Sequence, residues 1–224
     1  MKKEEFAGHL KYGFSVFSSW EIRLRDKLVP LVPSYIETYH LTLTTILWSA
    51  LVIVFSFLAQ NNLNWLWLVS LMIVFQYITD LLDGEIGRRR KTGLIKWGYY
   101  MDHFLDYIFL CSIMIGYSLI VGDQFKYLLL MILSLFGAFM VNSYLAFATT
   151  NKFRISYLKL GPTEARLLFI IINTLLILIG KTYMAGALPY VLILSLFGLI
   201  IVVYRTQKEI MAMDIEKMKQ EYKK

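Results

Sequence analysis

Residues 80–106 read DLLDGEIGRRRKTGLIKWGYYMDHFLD, a polar stretch between two strongly apolar segments. Asp80 and Asp83 are three residues apart, and Asp102 and Asp106 are four apart. Residues at these spacings share one face of a helix, so each pair should present its carboxylates side by side. A short connection between two helices would bring the pairs opposite each other. Four like charges so close together repel one another, so we expect a cation among them.

The segments that flank this stretch, and most of the remaining chain, are apolar. Of the 224 residues, 58% are hydrophobic, and the mean hydropathy is +0.57. A membrane-spanning helix needs about 20 mainly apolar residues. Six segments approach this length: 41–59, 65–83, 102–121, 125–148, 167–180 and 185–204. The fifth is the shortest, and residues 161–166 can complete it if that helix end borders a polar cavity. The sequence predicts an all-α, multi-pass integral membrane protein with one six-helix domain over residues 41–204.

Basic residues are concentrated on one side of this predicted topology. Of the 23 lysines and arginines, all but Lys126 and Lys181 precede the first segment, follow the sixth, or lie between segments two and three or four and five. The positive-inside rule then places both termini and the connection after Asp83 in the cytoplasm, so the aspartates should open toward the cytoplasm. This distribution accounts for the net charge of +7, and we expect no nucleic-acid partner.

The two ends of the chain differ from the six-helix domain. Within the N-terminal segment 1–40, residues 13–29 mix aromatic and aliphatic residues with acids and bases. This mixture predicts an amphipathic helix in the membrane interface, with its basic residues near anionic lipid. A disordered basic leader is the alternative. The charged segment 205–224 is expected to extend the sixth helix as a cytoplasmic tail.

The residue types between the aspartates indicate what the site binds. Carboxylate oxygens are hard ligands, so Mg²⁺ or Mn²⁺ is expected rather than zinc or copper. Gly84 and Gly87 form a small-residue surface beside Arg88, where an anionic ligand could rest. The alternative for the glycines is close helix packing. For residues 89–91, topology-setting charge is the favoured interpretation.

Written as Asp80-x2-Asp83-Gly84-x2-Gly87-Arg88-x9-Gly98-x3-Asp102-x3-Asp106, the stretch resembles the signature of the CDP-alcohol phosphotransferase (CDP-alcohol phosphatidyltransferase) family. One position departs from that signature, since the family usually has alanine where Gly87 stands. Six predicted spans with cytoplasmic termini extend the resemblance across the chain.

The resemblance implies a phospholipid-synthesising enzyme that moves a substituted phosphate group from a CDP-linked donor to an alcohol and releases CMP. It implies two divalent ions, Mg²⁺ or Mn²⁺, held by Asp80, Asp83, Asp102 and Asp106. Asp106 would also act as the general base that deprotonates the acceptor hydroxyl. Contacts to the CDP moiety would come from Gly84, Arg88 and Gly98. Relatives are often homodimers, so a homodimer is expected.

A second polar cluster, which includes Arg154, Glu164 and Arg166, leaves two kinds of substrate pair open. In the first, CDP-diacylglycerol donates a phosphatidyl group to a small polar alcohol, and Arg154 or Arg166 binds a phosphate on that acceptor. In the second, residues 161–164 resemble a short stretch of the choline and ethanolamine phosphotransferases. Glu164 would then face a cationic head group, with diacylglycerol as the acceptor. The same four residues are also an ordinary helix start, and the short chain with six spans favours the first pair.

A carboxylate-lined cation transporter is the hypothesis from a different functional class. Such a protein needs a polar path through the bilayer. The outer halves of the predicted spans contain almost no ionisable residue, and all four aspartates cluster at one end. The sequence therefore favours an enzyme.

Overall fold

The computed structural model describes residues 11–12, 18–91, 94–151, 153–154 and 161–222. Its helices are α1 (Ser18–Leu28), α2 (Thr38–Ala59), α3 (Leu66–Arg90), α4 (Ile95–Ile120), α5 (Lys126–Thr150), α6 (Pro162–Ile179) and α7 (Lys181–Glu221). Short 3-10 turns occupy Val29–Leu31, Leu63–Trp65 and Asp123–Phe125. The two-residue strands β1 (Lys11–Tyr12) and β2 (Phe153–Arg154) pair in parallel. Apart from this pair, the regular structure of the described residues is helical.

Helices α2 to α7 are each long and apolar enough to cross a membrane, which confirms the prediction of six spans. Helix α3 continues past the apolar run to Arg90, and α4 already begins at Ile95. All four aspartates therefore lie inside helices, one or more turns from the connection between them. Polar groups can occupy such helix ends because a protein cavity, unlike lipid, can solvate them.

The fifth span begins at Pro162, so residues upstream of its apolar run complete it as predicted. Proline suits the first turn of a helix, where its missing N–H has no partner to lose. The predicted extension of the sixth span is also confirmed, because α7 runs without a break from Lys181 to Glu221, over 41 residues. At about 1.5 Å per residue such a helix is roughly twice as long as the hydrocarbon core is thick, so its polar end lies outside the membrane.

The helices pack around α2, which contacts both α3 and α4. Helix α3 also packs on α6, and α5 packs on α4 and α7. The buried apolar core includes Val52, Ile73, Phe109, Ile113 and Leu176. Helices α2 and α4 pack closely at Gly116, where an added Cβ would collide with Ser56 Oγ. This core supports the parts of α3 and α4 that carry the aspartates.

A buried polar network joins three of these helices away from the aspartates. Asn173 of α6 is 0% exposed, and its Oδ1 accepts a hydrogen bond from the Tyr117 hydroxyl at 3.0 Å. Its Nδ2 donates to Ser70 Oγ at 3.1 Å. Because the polar groups satisfy one another, the network fixes the mutual register of α3, α4 and α6 inside an apolar core.

Helix α1 lies against α3 at the end of the bundle that carries the aspartates. Asp26 pairs with Arg89, and Arg25 Nη1 lies 3.3 Å from Glu85 Oε2. The side chains of Trp20 and Ile22 are exposed, and the Trp20 ring stacks on Tyr77 of α3 with the centroids 6.3 Å apart. The predicted N-terminal helix is present over 18–28, and residues 13–17 lie outside the described residues. Its position in the membrane interface stays a prediction.

Arg90 has a structural role that the charge argument did not foresee. Its guanidinium donates to the backbone carbonyls of Val32, Pro33, Ser34 and Ile36. These bonds hold the connection between α1 and α2 against the end of α3. The interpretation of residues 89–91 as topology-setting charge alone is therefore incomplete, because Arg89 and Arg90 both anchor this N-terminal region.

Candidate functional site

Three of the four predicted aspartates converge between α3 and α4. Asp80, Asp102 and Asp106 each place a carboxylate oxygen so that the three oxygens lie within 4.8 Å of one another. All three residues are half-buried. A set of oxygen donors at this spacing, with its mutual repulsion, fits a hard divalent cation such as Mg²⁺ or Mn²⁺.

Asp83 is not one of these three, and its side chain contacts α2. Its Oδ2 accepts a hydrogen bond from Thr42 Oγ1 at 2.7 Å, and its backbone carbonyl accepts one from Thr38 Oγ1 at 3.1 Å. The structure thus brings three of the four predicted ligands within 4.8 Å of one another, and a metal-ligand role for Asp83 stays a prediction.

Arg166 brings a positive charge into the cluster. Its side chain extends from α6, and the residue is 8% exposed. Nη2 lies 2.8 Å from Asp80 Oδ2 and 3.3 Å from Asp106 Oδ1. The guanidinium also lies over the ring of Tyr77, 5.8 Å from its centroid. One guanidinium beside three carboxylates leaves a net negative charge, so the site still fits a divalent cation.

Gln76 belongs to the site although the sequence analysis did not identify it. Its Nε2 donates to Asp106 Oδ1 at 3.1 Å, and the residue is 1% exposed. The available signal was its position, since Gln76 lies four residues before Asp80 and therefore on the same face of α3. A glutamine inside an apolar run is conspicuous only once that face is known.

The predicted nucleotide-contacting residues lie on both helices of the site. A Cβ added to Gly84 would lie 3.5 Å from Arg88 Nη1, so the guanidinium runs along the open face of this glycine. Arg88 has a side chain that is 54% exposed, and its Nε and Nη2 donate to Glu85 Oε2 at 3.2 and 2.9 Å. Around Gly98, no atom of the described residues lies within 4 Å of an added Cβ. Gly87 is buried, as helix packing requires.

The three predicted residues of the second polar cluster, Arg154, Glu164 and Arg166, have different positions in the structure. Arg166 reaches the aspartates, as described above. Glu164 Oε2 accepts a hydrogen bond from the Gly161 N–H at 2.8 Å, which caps the start of α6. Arg154 lies in β2, and its side chain lies outside the described part of the chain. The helix-start interpretation of residues 161–164 is thereby confirmed, whereas substrate contacts of Glu164 and Arg154 stay predictions.

Helix α5 supports the site through an aromatic group around His103. His103 Nδ1 lies 3.3 Å from Asp102 Oδ2. The Tyr144 hydroxyl donates to the backbone carbonyl of His103 at 3.1 Å, and the two rings stack with centroids 5.6 Å apart. Tyr99 packs edge-on against the same imidazole at 4.5 Å. These contacts restrict the position of the N-terminal part of α4, which carries Asp102.

Comparison with known proteins adds a finding on the family. The family model described as CDP-alcohol phosphatidyltransferase matches residues 38–205, which is 168 of the 224 residues. The matched region runs from α2 into α7 and contains the whole aspartate and glycine motif. A search of curated proteins finds no significant match.

Proposed function

The chain belongs to the CDP-alcohol phosphatidyltransferase family, and we propose that it transfers a phosphatidyl group from CDP-diacylglycerol to a small polar alcohol. As a member of this family it is an integral membrane transferase of phospholipid biosynthesis, which moves a substituted phosphate group from a CDP-alcohol to an alcohol. The identity of donor and acceptor is the proposal.

The observation that supports a transfer at this site is the convergence of Asp80, Asp102 and Asp106 within 4.8 Å, beside the buried Arg166. In the reaction, the acceptor oxygen forms a bond to the phosphorus of the phosphatidyl group while the bond from that phosphorus to the CMP oxygen breaks. Two divalent ions held by these aspartates and Asp83 would neutralise the charge on the pyrophosphate. The donor set fits such ions because it consists of carboxylate oxygens.

Asp106 takes the proton of the acceptor hydroxyl as that oxygen attacks. The family resemblance favours Asp106 as this base, and Asp106 lies in the carboxylate cluster. A general base needs hydrogen-bond reach to the proton that it removes. The motif contains no serine or cysteine nucleophile, so a direct displacement without a covalent enzyme intermediate is expected.

The CDP moiety is proposed to lie along Gly84 and Gly98. No atom of the described residues lies within 4 Å of a Cβ added to Gly98, and the Arg88 guanidinium covers the open face of Gly84. Arg88 is exposed enough to turn from Glu85 toward the pyrophosphate, to which a guanidinium can form paired hydrogen bonds. Arg166 is proposed to bind a phosphate on the acceptor alcohol, with Arg154 as a second candidate. The capping bond of Glu164 to Gly161 favours this assignment over a head-group role for Glu164.

The positive-inside distribution supports a cytoplasmic position for both termini and for the active site. We also propose a homodimer in the lipid bilayer, as expected from the family. Crosslinking of the protein in native membranes tests this assembly, and a species that stays monomeric at every crosslinker concentration contradicts it.

A substrate screen tests the proposed function. Purified protein with Mg²⁺ or Mn²⁺ is given CDP-diacylglycerol together with glycerol 3-phosphate, serine, inositol or inositol phosphate, and release of CMP is measured. Parallel reactions contain CDP-choline or CDP-ethanolamine with diacylglycerol. We expect CMP only with CDP-diacylglycerol and one small alcohol. Turnover of a CDP-aminoalcohol contradicts the donor assignment, and an absence of CMP in every CDP-diacylglycerol reaction contradicts the proposed substrate pair.

A further inference from the structure

Gln76 lies at the boundary between the apolar core and the aspartate cluster. It is one helical turn before Asp80 on α3, so the two side chains point to the same side of the helix. The preceding residues on this face, Met72 and Ile73, are buried in the apolar core. Gln76 itself is 1% exposed, which makes it a carboxamide enclosed by protein.

Stability alone does not account for an amide at this position. A buried polar group without a partner costs about 1–3 kcal/mol, and an apolar side chain of similar volume avoids that cost. One end of the Gln76 amide is satisfied, because Nε2 donates to Asp106 Oδ1 at 3.1 Å. The other end, Oε1, is buried without a hydrogen-bond partner among the described residues. Only one of the two polar atoms of this buried amide thus has a hydrogen-bond partner among the described residues, and that partner is Asp106.

The bond from Gln76 restricts the orientation of the Asp106 carboxylate. Asp106 Oδ1 accepts from Gln76 Nε2 on α3 and also from Arg166 Nη2 on α6, at 3.3 Å. Two donors on the same oxygen oppose rotation of the carboxylate and direct Oδ2 away from both of them. Arg166 is shared with Asp80, and it is the proposed ligand of the acceptor phosphate, so it cannot serve Asp106 alone. The neutral amide of Gln76 adds an orienting bond and leaves the charge of the cluster unchanged.

We propose that Gln76 is a positioning residue, which holds Asp106 Oδ1 so that Oδ2 faces the hydroxyl of the acceptor alcohol. The inference rests on the proposed function, since it acts through Asp106 as the base of that reaction. Its consequence is kinetic, because a base displaced by about 1 Å from its working position can lose about a hundredfold in rate. Metal binding should change little, because Asp80 and Asp102 keep their carboxylates in the cluster.

The test replaces Gln76 by leucine, which keeps the volume and removes the donor. With CDP-diacylglycerol and the alcohol that turns over in the screen, we expect kcat to fall about 10- to 100-fold while both KM values stay within about threefold. Isothermal titration calorimetry with Mg²⁺ alone should give a Kd within about threefold of the original protein. The Gln76→Met variant, unbranched like glutamine, repeats the measurements if the leucine variant folds poorly.

Asn173 provides a matched control, because it is also a fully buried amide with hydrogen bonds to two helices. It lies about two turns along α6 from Arg166. Asn173→Leu should lower the unfolding temperature, since it removes buried hydrogen bonds that stabilise the fold. It should leave kcat of the folded protein within about twofold, because none of these bonds orients Asp106. A loss of kcat equal to that of Gln76→Leu would show that any buried amide has this effect and would overturn the inference.

Asp106→Asn, measured in the same series, separates this inference from the proposed function. If Asp106→Asn is inactive while Gln76→Leu or Gln76→Met keeps kcat within about twofold of the original, Asp106 remains the base and the role of Gln76 is wrong. If Asp106→Asn retains turnover, the base assignment fails and the role of Gln76 fails with it. A Gln76 variant that loses Mg²⁺ binding along with activity also overturns the inference, because the residue then maintains the carboxylate cluster and does not orient the base.

Discussion

Asp106 is the residue on which the proposed chemistry depends most directly. Replacement by asparagine keeps its shape and one oxygen but removes the ability to accept a proton. We expect turnover to fall about a hundredfold to ten-thousandfold, the range typical of a lost general base. Mg²⁺ binding, measured by calorimetry, should weaken only modestly because Asp80 and Asp102 keep their carboxylates in the cluster.

Asp123 offers a control for the Asp106 prediction. It pairs with Lys126 at 2.7 Å in the connection between α4 and α5, at the opposite end of α4 from Asp102. Asp123→Asn should therefore retain full turnover. Retained turnover in Asp106→Asn would refute its role as the base.

Arg166 gives a prediction about metal-dependent stability. Arg166→Gln leaves Asp80 and Asp106 without the guanidinium that now lies between them. Removal of one partner of a buried ion pair costs about 3–5 kcal/mol, so the variant should unfold at a lower temperature in EDTA. Mg²⁺ should restore much of the difference, because a cation at the same carboxylates replaces the missing charge.

Thermal unfolding of both proteins with and without Mg²⁺ measures this effect. The increase in unfolding temperature caused by Mg²⁺ should be larger for Arg166→Gln than for the original protein. An equal increase would contradict the prediction, since it would mean that Arg166 and the metal do not act on the same carboxylates.

At the residue scale, helical spacing was sufficient to find the aspartates but not their orientation. The spacing predicts the convergence of Asp80, Asp102 and Asp106, whereas Asp83 accepts a hydrogen bond from Thr42 of α2. A contact with a helix 41 residues away in the chain leaves no trace in local periodicity. The sequence analysis did not identify Gln76 for the same reason, because its hydrogen-bond partner lies on another helix and its neighbours in sequence are apolar.

At the element scale, α2 and α4 pack closely at Gly116, about 15 Å along α4 from Asp106. Gly116→Ala places a Cβ against Ser56 Oγ, where neither helix can yield without disturbing the core. We expect a loss of about 1–3 kcal/mol in the free energy of unfolding, as for other overpacked cores. Unfolding by denaturant in detergent micelles measures it.

Two further variants test the cause of that loss. Ser56→Ala in the Gly116→Ala background removes the colliding oxygen and should recover part of the stability. Gly186→Ala in α7 is the control, because no atom of the described residues lies within 4 Å of its added Cβ. If Gly186→Ala destabilises as much as Gly116→Ala, helix packing at Gly116 is not the reason.

Hydropathy predicted which helices exist better than where they end. The apolar runs stop near the aspartates, yet α3 and α4 continue to Arg90 and from Ile95. Their polar ends are stabilised by contacts between elements, such as Arg90 with the carbonyls after α1. Helix α6 has the shortest apolar run, yet its start follows local signals, because Pro162 and Glu164 both lie in its first turn.

At the scale of the whole molecule, the site, α1 and the N-terminus of α6 are all at one end of the helix bundle. The opposite connections between spans are short, and Lys126 and Lys181 are the basic residues assigned to them. A soluble CDP-linked substrate or small alcohol can reach the aspartates only from the side to which this end opens. The orientation of the bundle therefore decides which compartment supplies the acceptor alcohol.

Cysteine accessibility measures this orientation in cells. Because Cys111 is the one cysteine of the sequence, Cys111→Ser gives a background in which single cysteines report their side of the membrane. A membrane-impermeant maleimide should label Asn61→Cys, in the connection between α2 and α3, in intact cells. Lys219→Cys near the end of α7 should react only after permeabilisation, since the positive-inside rule places the tail in the cytoplasm. Both variants must retain CMP release to show that they are folded. The reverse labelling pattern would place the aspartates on the outer face of the membrane. The basic clusters would then contradict the positive-inside rule, and the acceptor alcohol would have to come from outside the cell.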